Sequence, residues 1–214
     1  MNNIKNIIVD LGGVVIDLDR ERCVRAYERL GMKDADSRLG LYRQGEPFLG
    51  VEVGRLTAGE FFDTLRTLTG STGSDAELEQ AFLSFLADLP VERLRALREA
   101  KRRGFRLFML SNTNAIMYNG WIRRRFEAEG LKVEDYFDGI VTSFGEGCCK
   151  PDPEIFRRVL HRYALRPEQT VMLDDSEANC RGAESVGMRS LRITKDTDLI
   201  RALAQIEHPY ETYS

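Results

Sequence analysis

The chain has no apolar run near the roughly 20 residues of a membrane-spanning helix. Nothing at its start reads as a signal peptide, because the stretch from Ile7 to Ile16 is broken by Asp10, Gly12 and Gly13. It has no excess of basic charge either. With 31 Lys and Arg against 34 Asp and Glu the net charge is -3, which offers a nucleic-acid backbone no general hold. The basic clusters Lys101–Arg103 and Trp121–Arg125 fall in or at the end of predicted helices and read as solvated faces. Cysteine is sparse. Cys23, Cys148, Cys149 and Cys180 form neither a CxxC pair nor a Cys/His metal spacing, and adjacent Cys148 and Cys149 are badly placed to bridge each other. Buried or spectator thiols in a cytoplasmic protein are the expectation, with no membrane, nucleic-acid or evident protein partner.

What is present fits an ordinary globular chain. It has 214 residues, 43% hydrophobic and 30% charged, with mean hydropathy -0.34. That length holds one full core, or a core with a smaller insert. A continuous apolar strand over Lys5–Asp10 is predicted to be buried on both faces, as in a parallel sheet. From Arg20 to about Leu89 only helical signals occur: "RERCVRAYERLG", "AGEFFDTLRTLTG" and "DAELEQAFLSFLADL". Gly31 and Gly70 serve as stops, and Ser74 with Glu77 forms a capping box.

Strands and helices then alternate. "VERLRALREAKRRG" is a helix, "FRLFMLSN" a strand, and Met117–Glu129 is helical. "FDGIVTSFG" is a strand, and a helix starts at Asp152 and Pro153. "QTVMLDDS" is a strand, Ser176–Val186 a helix, "RSLRIT" the last strand, and a short helix follows near Asp198–Ile206. This order predicts an α/β fold, a Rossmann-like parallel sheet flanked by helices. Residues 1–19 and 90–214 form its core, and residues 20–89 are an inserted all-helical cap over the edge where such sheets place ligands.

Polar residues end three of the strands: Asp10, then Ser111–Asn114, then Asp174–Asp175. Lys150 stands just before a helix. Each alone has a structural explanation: a turn, a loop start, a helix cap, a surface lysine. Together, on one sheet edge, three carboxylates would repel unless a cation compensates them. Oxygen-only ligands at such an edge suit Mg²⁺. A hydroxyl, backbone N–H groups and a lysine suit phosphate oxygens. The residues themselves therefore point to Mg²⁺-assisted chemistry on a phosphate.

Four segments, "VDLGGVVID", "LSNTN", "KPDPEIF" and "VMLDDSEANCRGAESVGM", resemble in order the four motifs of the haloacid dehalogenase-like hydrolases, over nearly the whole chain. The insert "RQGEPFLGVEVGRLTAGEFF" is similar to the helical cap of a subgroup with bacterial α-glucose-1-phosphate phosphatase and the phosphatase domain of soluble epoxide hydrolases. The resemblance implies a phosphatase acting on a small phosphorylated metabolite, sugar phosphates first, through an aspartyl-phosphate. Asp10 matches the nucleophile and a Mg²⁺ ligand, and Gly12 offers its main-chain carbonyl to the metal. Asp175 matches the direct ligand of the paired acids and Asp174 its partner. Ser111 and Asn112 match the phosphate-binding motif, and Lys150 the lysine that neutralises nucleophile and phosphoryl group. The cap match nominates Arg43, Glu46 and Phe48 as substrate contacts.

One position departs from that pattern. Most phosphatases of the family carry a second aspartate two residues after the nucleophile, and this chain has Gly12. Three readings follow. In a phosphatase that manages without it, Asp17, Asp19, Glu46 or Glu52 are candidates for the missing acid, Asp17 equally as a shaper of the linker. A 2-haloacid dehalogenase would leave Asp174 and Asp175 uncompensated. A non-catalytic phosphate-binding or regulatory module would not need the full set.

Overall fold

A computed structural model describes residues 3–40 and 45–206. Five parallel strands, β1 (Asn6–Val9), β2 (Arg106–Ser111), β3 (Gly139–Thr142), β4 (Thr170–Asp174) and β5 (Arg189–Arg192), form one sheet in the order β3-β2-β1-β4-β5. The register places Val9 beside Met109 on one side and Leu173 on the other. Asp10, Ser111 and Asp174 therefore emerge on one edge, at the point where the strand order reverses, the usual ligand crevice of such sheets.

Period-2 alternation explains why β1 is continuously apolar. Ile7, Val9, Leu107, Met109, Val171 and Leu173 face one core cluster, and Ile8, Phe108, Leu110 and Met172 face another. The first is covered by α6 (Val91–Arg102) and α13 (Leu199–Gln205), the second by α11 (Pro153–Arg162) and α12 (Glu177–Glu184).

Between β1 and β2 the described chain is helical: α1 (Arg20–Arg29), α2 (Ala35–Arg38), α3 (Phe48–Glu52), α4 (Ala58–Thr69) and α5 (Asp75–Leu83). Capping boxes at Thr57/Glu60 and Ser74/Glu77 start α4 and α5, and Gly70, left-handed at φ +68°, stops α4. Phe48 packs between Phe61 and Phe82, at centroid distances of 5.3 and 5.6 Å. The linkers into and out of this helical segment bond to each other. Asp17 N donates to Asp88 O, Ala87 N to Asp17 O, and Asp19 N to Phe85 O, each at 2.8 Å.

Three boundaries differ from the sequence reading. The strand read over "FDGIVTSFG" stops at Thr142, and Ser143–Glu146 is a helical turn, α10, closed by left-handed Gly147. The helix read from Met117 begins earlier, at Ala115, because the Asn114 side chain accepts from Met117 N. It runs as α7 (Ala115–Met117) through a π turn at Tyr118–Ile122 into α8 (Arg123–Phe126), and a further turn, α9 (Val133–Tyr136), precedes β3. The helix read to Leu89 ends at Leu83, where Arg22 takes the carbonyls of Ser84 and Leu86 out of helical pairing. Among the described residues no helix is long and apolar enough to cross a membrane.

Candidate active site

The sheet edge gathers its charges around one buried lysine. Lys150 Nζ lies 2.9 Å from Asp10 Oδ1 and 2.7 Å from Asp174 Oδ2, with the Lys150 and Asp174 side chains fully removed from solvent. Burial alone would lower the Lys150 ammonium, but the two carboxylates outweigh it and hold the ammonium above its ordinary value. Asp174 is further fixed through Oδ1, which accepts from Ser176 N and Asn179 Nδ2, both at 2.9 Å. It thus fixes the turn into α12 and pairs the lysine at once.

Asp10, Asp174 and Asp175 each place a carboxylate oxygen within 4.8 Å of the others. Three carboxylates around one ammonium leave negative charge uncompensated. Burial pushes Asp10 up to about 8, helped by Asp174 and Asp175 and opposed by Lys150. The loop after β1 is shaped to admit this cluster. At Gly13, left-handed at φ +75°, a Cβ would fall 2.2 Å from Asp175 Oδ2, so only glycine lets the backbone pass the carboxylate. An all-oxygen donor set, surplus negative charge and a cradle that any side chain would fill suit a hard divalent cation such as Mg²⁺.

Ser111 is buried, and its hydroxyl has no hydrogen-bond partner among the described residues. Asn112 holds the lysine loop in place. Its Nδ2 donates to Lys150 O and its Oδ1 accepts from Lys150 N, both at 2.8 Å. The side chain of this phosphate-motif residue thus fixes the backbone that carries the cation.

Above this floor lies a cavity of about 870 Å³, counting its open mouth. Asp10, Gly12, Ser111, Asn112 and Asp175 line its base. Leu39, Phe48, Phe82, Phe85 and Leu86 line its roof. Glu52, at the end of α3, is the roof's carboxylate among the described residues. The Glu52 carboxylate makes no hydrogen bond or ion pair with a described residue, and burial lifts it to about 7 against the pull of Lys150.

The other acids nominated from the sequence are engaged elsewhere. Glu46 pairs with Arg55 and accepts from Gly50 N at 3.1 Å. Asp17 pairs with Arg93 at 2.7 Å, and Asp19 accepts from Arg22 N as the cap of α1. Arg43 lies outside the described residues. Sequence reasoning missed Ser143. Its fully buried hydroxyl accepts from Thr113 N at 3.0 Å and sits 2.7 Å from Glu52 O and 2.8 Å from Thr113 O, so its single proton goes to one of these carbonyls. The polar serine closing an apolar strand was the available signal.

A family model for haloacid dehalogenase-like hydrolases matches residues 4–187. A D-ribitol-5-phosphate phosphatase of Bacteroides thetaiotaomicron is 33% identical over 95% of this chain and 98% of its own. A sesquiterpene phosphatase of Aspergillus oryzae is 28% identical over 94% and 96%. A crystal structure of a wild-type enzyme of the same family from Bacteroides thetaiotaomicron, in complex with magnesium and inorganic phosphate, superposes with TM-score 0.83. It is 36% identical, over 89% of this chain and 94% of that one.

Proposed function

The chain belongs to the haloacid dehalogenase-like hydrolase family, and from that premise we propose that it is a Mg²⁺-dependent phosphatase of a small phosphorylated metabolite. The observation that carries the reading is the convergence of Asp10, Lys150, Asp174 and Asp175 beneath a hydroxyl, Ser111, left free for a phosphate oxygen. Asp10 attacks phosphorus in line, its carboxylate becoming an acyl phosphate while the ester oxygen departs toward the roof. Lys150 offsets the charge of Asp10 and of the phosphoryl group, Ser111 and the Asn112 backbone hold its oxygens, and Asn112 keeps Lys150 in register. Asp10, Asp174, Asp175 and the Gly12 carbonyl would hold Mg²⁺, which supplies charge neutralisation when bound.

Residues 20–89 act in this reading as a cap on the core formed by 1–19 and 90–214, excluding water above the phosphate. The bonded linkers at Asp17–Asp19 and Phe85–Asp88 support that division.

For the substrate, a polyol or sugar phosphate comes first, on the strength of the ribitol-phosphate phosphatase relative. The leucine- and phenylalanine-lined roof favours a second reading, the monophosphate of an apolar alcohol, to which the sesquiterpene phosphatase lends support. Ribitol 5-phosphate, glucose 1-phosphate and an isoprenoid monophosphate, assayed with Mg²⁺ and with chelator, separate the two. Turnover that needs Mg²⁺ and falls by about 10⁴-fold or more in Asp10→Asn is expected. Absence of turnover across the panel refutes the proposal.

A further inference from the structure

We propose that Glu52, carried by the helical cap, is the general acid and base that Gly12 cannot supply. This rests on the phosphatase reading above. Displacement at phosphorus is in line, so a leaving oxygen opposite Asp10 points from the sheet edge toward the roof. Glu52 lines that roof, in the same cavity as Asp10 and Ser111. Among the described residues its carboxylate has no partner, whereas Glu46, Asp17 and Asp19 are committed to Arg55, Arg93 and the start of α1.

The position of Glu52 is set by the core as well as the cap. Ser143 Oγ lies 2.7 Å from the Glu52 carbonyl while accepting from Thr113 N in the phosphate-binding loop. Two residues on, at Gly54 with φ +69°, a Cβ would fall 2.5 Å from Phe144 O, so the turn after α3 sits directly on α10. The roof acid and the phosphate loop are thereby held in one frame.

The chemistry closes on itself. As Asp10 Oδ bonds to phosphorus and the ester P–O bond breaks, protonated Glu52 gives its proton to the departing oxygen, releasing the alcohol. The Glu52 carboxylate then takes a proton from water entering the vacated side. That oxygen attacks phosphorus, the P–Oδ bond breaks, and phosphate leaves with Asp10 a carboxylate and Glu52 protonated again. Among the described residues, Lys150 and Cys149 from the loop before α11 act on Glu52, and Asp10 and Asp175 line the same cavity. Burial pushes the Cys149 thiol up to about 11, so it stays neutral while Glu52, near 7, takes and gives protons.

The test compares ribitol 5-phosphate, whose alkoxide needs a proton, with p-nitrophenyl phosphate, whose phenolate does not. In Glu52→Gln, kcat/KM for the alkyl ester falls by about 10²-fold or more. For the aryl ester it falls less than about 5-fold, with a burst of nitrophenol followed by slow turnover. The wild-type alkaline limb in kcat/KM for the alkyl ester disappears in Glu52→Gln and persists in Glu52→Asp. Equal losses for both esters, or an alkaline limb retained in Glu52→Gln, overturn the inference and leave the phosphatase reading intact. No turnover of either ester by the wild-type protein removes both.

Discussion

Lys150 lies buried behind Asp10 at the cavity floor and Glu52 lines the roof, yet the lysine is clamped by two carboxylates and the glutamate by no described residue. The floor is pre-organised: Asp174 accepts from the Lys150 ammonium, Asn112 fixes the Lys150 backbone, and a charge so held does not titrate near neutrality. The roof leaves its acid in mostly apolar surroundings, where burial without a partner among the described residues brings a carboxyl into the range in which it both donates and accepts. Among the described residues, the group held charged is paired and the group lifted toward neutrality is not.

Breaking the floor should have the largest effect on stability. Lys150→Met leaves Asp10 and Asp174 buried together without their cation, an expected loss of about 3–5 kcal/mol. Urea unfolding of the metal-free protein measures it. Adding Asp10→Asn to Lys150→Met should restore part of the loss, because one of the two stranded carboxylates is then neutral.

The roof should respond with the opposite sign. The Glu52 carboxyl has an ordinary value of 4.5 and stands at about 7 in the fold. Folding therefore favours its protonated form. That contribution is full below about pH 4.5 and is lost as pH rises through about 7, where the folded protein must ionise a buried acid. Glu52→Gln has no such slope and should be more stable than wild type above pH 7 by roughly 1–3 kcal/mol, the upper end reduced because the carboxyl lines a cavity open to water. Asp10 is present in both proteins and cancels in the difference. Thermal unfolding from pH 5 to pH 8 checks it, and a constant difference across that range would contradict it.

The two regions were not equally legible in the sequence. The floor was, because each of its residues ends an apolar run or opens a helix: Asp10 after Ile7–Val9, Ser111 after Leu107–Leu110, Asp174 after Val171–Leu173, and Lys150 ahead of a capped helix. A parallel sheet then has one edge on which to bring them together. The roof was not. The helix that carries Glu52 spans five residues, too short for a periodicity to say which side faces the cavity, and Glu46, as acidic in sequence, turns to Arg55 instead. Ser143 was hidden for another reason. Its neighbours Val141 and Thr142 read as strand, and only the three-dimensional approach of Glu52 and Thr113 makes its hydroxyl a joint.

A subtler perturbation of the floor comes through Gly13. Gly13→Ala places a methyl group 2.2 Å from Asp175 Oδ2 at a left-handed backbone position, so either the loop or the carboxylate must move. Mg²⁺ affinity is expected to weaken about 10–100-fold, as for other changes that misorient a ligand. Titration calorimetry with Mg²⁺ reads it directly, and unchanged affinity would mean that Asp175 does not help hold the cation.

Gly12→Asp gives the smallest change, and its smallness is what makes it informative. The backbone there tolerates a side chain, and a Cβ would come 3.3 Å from Leu18 Cδ1, a contact that a small rotation of the leucine relieves. If Gly12 marks a site that lacks its acid, an aspartate here should accelerate alkyl phosphate turnover strongly, since acid–base help is worth about 10²-fold or more. With Glu52 already delivering the proton from the roof, a second acid on the floor has little left to do, and kcat/KM should change less than about 3-fold. The same substitution in Glu52→Gln should restore about 10-fold or more, because the floor acid then has a vacancy to fill. Equal effects of Gly12→Asp with and without Glu52 would mean that the two positions do not share one task.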